Sequence, residues 1–198
     1  MVNYIKAFDK KRKFIWFVVP KAGYCSMAAF LYGSEARAQG HFSKNNLDDK
    51  HSPYFKFCFV RNPWDRLVSC YQQKILEAPW VNRSLNHPGF RWDLVRKKAS
   101  FKEFVLEITN TNENLEKDTH WAPIHSFIPV SKLDFIGKIE NFQEDVNVVC
   151  DKIGIPHQKL PHLNKTKHKH YTEYYDDETR QIIAEKYARD IDSFGYKF

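Results

Sequence analysis

Lys21 follows a short apolar run, Phe14-Ile-Trp-Phe-Val-Val19, and precedes a segment in which Met27, Phe30, Leu31 and Ser34 recur at helical spacing. Arg61 occupies the same kind of junction, after Phe55-Lys-Phe-Cys-Phe-Val60 and before Asn62-Pro63. Open α/β sheets bind anionic ligands where a strand ends and a helix begins, so both cations stand where a phosphate would be held. In the first segment Gly23 permits a tight turn, and the backbone N–H groups of Ala22, Gly23, Tyr24, Cys25 and Ser26 are expected to form an anion cradle with the helix dipole behind them. Lys21 adds a mobile ammonium. In the second, Asn62 reads as an N-cap, Pro63 as the first helical residue and Asp65 as a first-turn acid, with Ser69 about two turns further on. A planar guanidinium and a hydroxyl, Arg61 and Ser69, make a phosphate clamp. Two such sites imply one ligand with two separate phosphates. The plainer alternatives are a solvated Lys21, an Arg61 paired with Asp65 and a Ser69 that only packs.

To position these groups the pattern predicts strands at 14–19, 55–60 and 134–139 and helices at 25–37, 63–76, 101–109, 141–153 and near 176–190. Asn141 and Glu144 are spaced like a capping box, and Val146, Val149, Cys150 and Ile153 form an apolar stripe. Alternating strands and helices argue for an α/β fold: a single domain over 1–198, P-loop-like and three-layered, with a mainly parallel sheet flanked by helices. Segments 77–99 and 110–133 are long and irregular, as functional loops often are.

A chain of 198 residues with 42% hydrophobic and 16% aromatic residues is long enough for a real core, and neither repeats nor low-complexity tracts interrupt it. The net charge of +7 suits an anionic partner, whether polyanionic cofactor, sulfated glycan or nucleic acid. Cys25, Cys58, Cys70 and Cys150 lack Cys-x-x-Cys spacing and are read as thiols, with neither a zinc site nor a disulfide framework. The apolar run at 14–19 is too short to span a bilayer and no signal-peptide pattern precedes it, so the chain is expected to be cytoplasmic, or luminal in the Golgi if it is a trimmed domain.

Pro20-Lys21-Ala-Gly-Tyr-Cys-Ser26 resembles the 5′-phosphosulfate loop of PAPS-dependent sulfotransferases, and Phe59-Val-Arg61-Asn-Pro-Trp-Asp-Arg66-Leu-Val-Ser69-Cys-Tyr71 resembles their 3′-phosphate motif. His120-Trp121-Ala-Pro123, Phe135 to Asp145, Leu160 to Thr166 and Asp190 to Tyr196 extend the likeness to the carbohydrate-type branch, sulfotransferase family 2. Relatives often have Ser or Thr where this chain has Tyr24 and Cys25, which leaves Ser26 and the backbone to hold the phosphosulfate. The Cys-x-Pro-Cys found after the His-Trp segment in Golgi relatives is replaced around Phe127-Ile-Pro-Val130.

The resemblance implies PAPS as sulfuryl donor, adenosine 3′,5′-bisphosphate as product, a carbohydrate or small-molecule hydroxyl or amine as acceptor, and no metal. Lys21 is the candidate for stabilising the leaving phosphate. His41 and His120 are rival candidates for the base, with Glu35, Asp118 and His51 behind them. Asn164 to Tyr171 corresponds to a loop closing over the nucleotide, from which Lys165 and Lys167 either reach its phosphates or belong to a solvated basic patch. Glu140 is expected to order a turn. Trp80, Phe90, Trp92, Trp121 and Tyr171 are candidate walls of an acceptor cleft on the side of the irregular segments. Two other readings stay open: a P-loop kinase or hydrolase, which lacks Gly-Lys-[Ser/Thr], and a basic nucleic-acid-binding module, which lacks a recognisable signature.

Overall fold

A computed structural model describes residues 6–34, 38, 41–43, 53–77, 98–110, 118–161, 163 and 169–198. These belong to two compact units, Met1–Arg61 with Phe127–Lys165, and Asn62–Ser126 with Thr166–Phe198.

The first unit is built on a sheet of β1 (Lys6–Asp9), β2 (Phe14–Phe17), β3 (Phe42–Ser43), β4 (Phe55–Val60) and β5 (Phe135–Lys138), in the order β3-β1-β2-β4-β5. β2, β4 and β5 run parallel, with Trp16 opposite Phe57 and Phe59 opposite Gly137. β1 is antiparallel to both β2 and β3. The expected parallel strands are therefore present, and the antiparallel pair β1 and β3 is an addition that such short segments did not announce. Phe14, Trp16, Phe57 and Phe59 turn one face towards Met27 and Leu31 of α1 (Tyr24–Tyr32) and Val146, Val149 and Ile153 of α2, which in this unit is Phe142–Ile153. The alternate residues Ile15, Phe17, Cys58 and Val60 are buried as well. Central parallel strands covered on both faces read as unbroken apolar runs, as these do.

α1 is shorter than its expected span of 25–37, ending where Gly33 takes a left-handed conformation (φ 81°) and donates back to the Ala29 carbonyl. The capping box expected of Asn141 is not formed, because a short 3₁₀ turn (Ile139–Asn141) leads directly into α2 and leaves Asn141 at φ −118°, ψ 36°. Asp145 ties the turn down instead, its carboxylate accepting the Lys138 N–H at 2.6 Å.

The second unit packs α3 (Pro63–Tyr71), α4 (Phe101–Asn110), α5 (Asp177–Lys186) and α6 (Ala188–Phe194) around Trp64, Leu67, Tyr71, Phe104, Val105, Ile183 and Tyr187. Asn62 caps α3 as expected, accepting the Trp64 N–H at 3.0 Å, and Pro63 opens the helix. A single π turn, Gln72–Leu76, continues it to the expected end. The single C-terminal helix expected near 176–190 is two helices, divided at Tyr187. No glycine or proline marks that break. The Tyr187 hydroxyl is instead bonded to the Trp121 carbonyl, a contact between distant parts of the chain.

Candidate active site

In the first unit, β2 delivers Lys21 into the turn before α1. Lys21 has φ 69°, a left-handed conformation that a residue with a β-carbon rarely adopts, and Gly23 follows at φ 76° as the N-cap of α1. A glycine is required at the second position. A β-carbon on Gly23 would stand 2.4 Å from the Phe142 ring, so this ring at the start of α2 presses against the turn. Phe142 is itself braced edge-on by Phe59, with centroids 5.0 Å apart. Since a glycine N-cap has no side chain to offer, the first N–H groups of α1 receive no side-chain cap from it. Arg61, one residue past β4, donates from Nη1 to the Lys21 carbonyl at 3.3 Å. The guanidinium of Arg61 thus braces the strained backbone of the Lys21 turn within this unit.

The remaining loop residues have distinct settings. Ala22 is buried, Cys25 is half-buried, and the Tyr24 ring stacks on Trp16 with centroids 6.0 Å apart. Ser26 is 5% exposed and its hydroxyl oxygen accepts the Leu163 N–H at 3.1 Å, which leaves its own O–H to donate. Exposed His41 has Nδ1 3.3 Å from the Phe8 carbonyl and its ring on Tyr32, 4.3 Å between centroids. Burial, with Asp9 nearby, pushes the Tyr32 hydroxyl well above the ordinary tyrosine value.

In the second unit, Ser69 lies buried on α3. His120 is held by Asp118, whose Oδ1 accepts both the His120 backbone N–H at 2.9 Å and a bond with Nδ1 at 2.6 Å. A second pair follows: Asp190, fully buried, accepts from the backbones of Ile124 and His125 and lies 2.9 Å from His125 Nδ1. Arg66 is buried too, donating to the carbonyls of Thr119 and Ala122 at 2.5 and 2.8 Å. Sequence reading passed over Arg66, because a charged side chain so close to the Arg61 motif carries no mark of burial. Trp121, expected as a cleft wall, is 2% exposed and sits edge-on to Phe104 in the core. Tyr171 is half-buried against Phe198. Lys165, Lys167, Glu35, His51, Trp80, Phe90 and Trp92 lie outside the described residues. Among the described residues, no group of three or more His, Cys, Asp or Glu is placed to hold a metal ion, and no helix is long and apolar enough to cross a membrane.

The model of the sulfotransferase family matches residues 6–197 of this sequence. The chain belongs to that family. It is 25% identical to human carbohydrate sulfotransferase 9 over 92% of this chain and 47% of that protein. Carbohydrate sulfotransferase 14 of Danio rerio is 28% identical over 72% of this chain and 44% of its own length. For mouse carbohydrate sulfotransferase 11 the identity is 26%, over 78% and 50% respectively. The chain therefore spans about half the length of these relatives, or less. No solved structure matches it significantly.

Proposed function

We propose that this sulfotransferase-family chain transfers the sulfuryl group of PAPS to a carbohydrate hydroxyl, releasing adenosine 3′,5′-bisphosphate, and that residues 1–198 act as one domain. The observation that carries the reading is the Lys21 turn: a strained, cation-bearing loop at the head of a helix whose N-cap is a glycine, braced by the Arg61 guanidinium, in a chain matched by the family model over 6–197. Backbone strain persists where the surroundings over-determine it, and such strain clusters at ligand clamps.

In the reaction the sulfur's bond to the bridging phosphate oxygen breaks as its bond to the acceptor oxygen forms, and the acceptor proton passes to a base. Charge grows on the bridging oxygen, so an ammonium at that point stabilises the transition state more than the ground state. Lys21 is assigned that role, the N–H groups from Ala22 to Ser26 the 5′-phosphosulfate, and Arg61 with Ser69 the 3′-phosphate. The base is a histidine, His41 or His120. Lys165 and Lys167 close over the nucleotide in the same reading. The carbohydrate class of the acceptor is taken from the names of the relatives. A cytoplasmic setting belongs to this proposal as well, suited by four cysteines that are thiols, three of them buried.

Incubation with PAPS labelled in its sulfate, together with a panel of unsulfated glycans, tests the reading. Transfer of label to a glycan is the expected result. Failure of both transfer and adenosine 3′,5′-bisphosphate binding would overturn it.

A further inference from the structure

The geometry points to Asp118 as a positioning residue that holds His120 as its Nδ1–H tautomer and so makes Nε2 the nitrogen that takes up the acceptor's proton. The inference deepens the proposed reaction and rests on it, choosing between the two candidate bases. A histidine works as a base only when one nitrogen carries the lone pair in a defined direction, and that is decided by what the other nitrogen bonds. Asp118 Oδ1 lies 2.6 Å from His120 Nδ1 and also accepts the His120 backbone N–H at 2.9 Å, so the ring is held at two points by one carboxylate oxygen. The carboxylate is 3% exposed whereas the imidazole is 29% exposed, which places the orienting partner inside and the working ring at the surface of its unit. As the ring gains a proton, its charge-assisted bond to the carboxylate becomes an ion pair and strengthens.

His41 has a weaker setting. It is exposed, and its Nδ1 faces a neutral carbonyl at 3.3 Å.

The turn that carries the pair is held from several sides. The Asp118 carbonyl accepts the N–H groups of Trp121 and Ala122 at 3.2 and 2.9 Å. Arg66 of α3 holds the Thr119 and Ala122 carbonyls, the Tyr187 hydroxyl holds that of Trp121, and Phe104 of α4 meets the Trp121 ring. The ionisable groups gathered about this turn are Asp118, Arg66, Tyr187, Asp190, His125 and Cys70. Asp190 is engaged by His125 and two backbone N–H groups, Arg66 donates to two carbonyls while Asp118 is among the charges acting on it, and the Asp118 carboxylate meets the His120 ring.

Long-range proton–nitrogen NMR of the full chain, labelled at the histidine imidazoles and titrated from about pH 5 to about pH 9, tests this without an acceptor, with His120→Ala assigning the signal. Wild-type His120 is expected as the Nδ1–H tautomer, with a titration midpoint about one pH unit or more above that in Asp118→Asn. Asp118→Ala should lower the midpoint as well, and thermal unfolding checks that each variant is folded. An Nε2–H tautomer in the wild-type chain, which needs no variant, or an unchanged midpoint in folded Asp118→Asn, would overturn the assignment. Adenosine 3′,5′-bisphosphate added to the same samples reports on the donor site separately. A chain that shows the tautomer and the shift but binds no nucleotide would overturn the reaction, and with it the catalytic use of the pair.

Discussion

Lys21 joins an uncomfortable backbone, at φ 69°, to the side chain proposed to meet the leaving phosphate. Holding a residue with a β-carbon in the left-handed region costs roughly 1 kcal/mol, a cost that glycine escapes. Lys21→Gly should therefore raise the free energy of unfolding by about 1 kcal/mol in denaturant titrations while losing sulfuryl transfer. Lys21→Ala keeps the β-carbon and its strain but removes the ammonium with its stem, so turnover should fall on the order of 10²-fold or more with little change in stability. Wild-type turnover in that variant would remove Lys21 from the leaving-group role. Two residues on, the constraint is steric as well as conformational. Gly23→Ala would put a β-carbon 2.4 Å from the Phe142 ring at φ 76°, and a loss of about 1–3 kcal/mol in unfolding free energy is expected.

Helix starts carry much of the second unit's order. Asn62 accepts the N–H groups of Trp64 and Asp65 and donates through Nδ2 to the Lys197 carbonyl at 2.9 Å, so Asn62→Ala should cost about 1–2 kcal/mol by chemical denaturation. α5 opens on a full capping box: the Asp176 carboxylate accepts the Thr179 N–H at 2.7 Å, while the Thr179 hydroxyl faces the Asp176 N–H at 3.1 Å. Bonds from the Thr179 backbone and hydroxyl, then from Lys102, hold the Asp176 carboxyl down at about 2, against an ordinary value of 3.8. A folded-state value below the unfolded one contributes stability above pH 3.8 that is lost as pH falls towards 2. Between those limits the melting temperature of the wild-type chain should fall more steeply than that of Asp176→Asn. Parallel slopes would show that the cap is not coupled to folding.

Over the whole chain, the +7 charge and the paired cationic junctions suit a small polyanion. A ligand that binds only the folded chain stabilises it by mass action, by about 2.7 kcal/mol at a hundred times its Kd. For a chain of this size that corresponds to a rise of about 5–10 °C in melting temperature with adenosine 3′,5′-bisphosphate. The rise should shrink with added salt and in Arg61→Ala. A curve unmoved by the nucleotide would speak against the donor site as a whole.

Both cation-bearing junctions were readable in the chain because their signals are local: an apolar strand, a turn residue or cap, and a helical repeat all fall within a few residues of one another. The parallel strands, the Asn62-Pro63 helix start and the family likeness follow from such runs. β1 and β3 were not readable, since four-residue and two-residue strands carry too little alternation and exist through pairing with partners elsewhere. The same holds for the division of the last helix at Tyr187, the burial of Arg66 and the left-handed turn at Lys21, each at a residue hydrogen-bonded to a distant part of the chain. Asp118 and His120 stand two apart in sequence, but it was packing that buried the carboxylate and left the ring partly exposed. Residue types and their local order decided which chemistry was possible; packing and hydrogen bonds decided which of those groups are buried, braced or left at the surface.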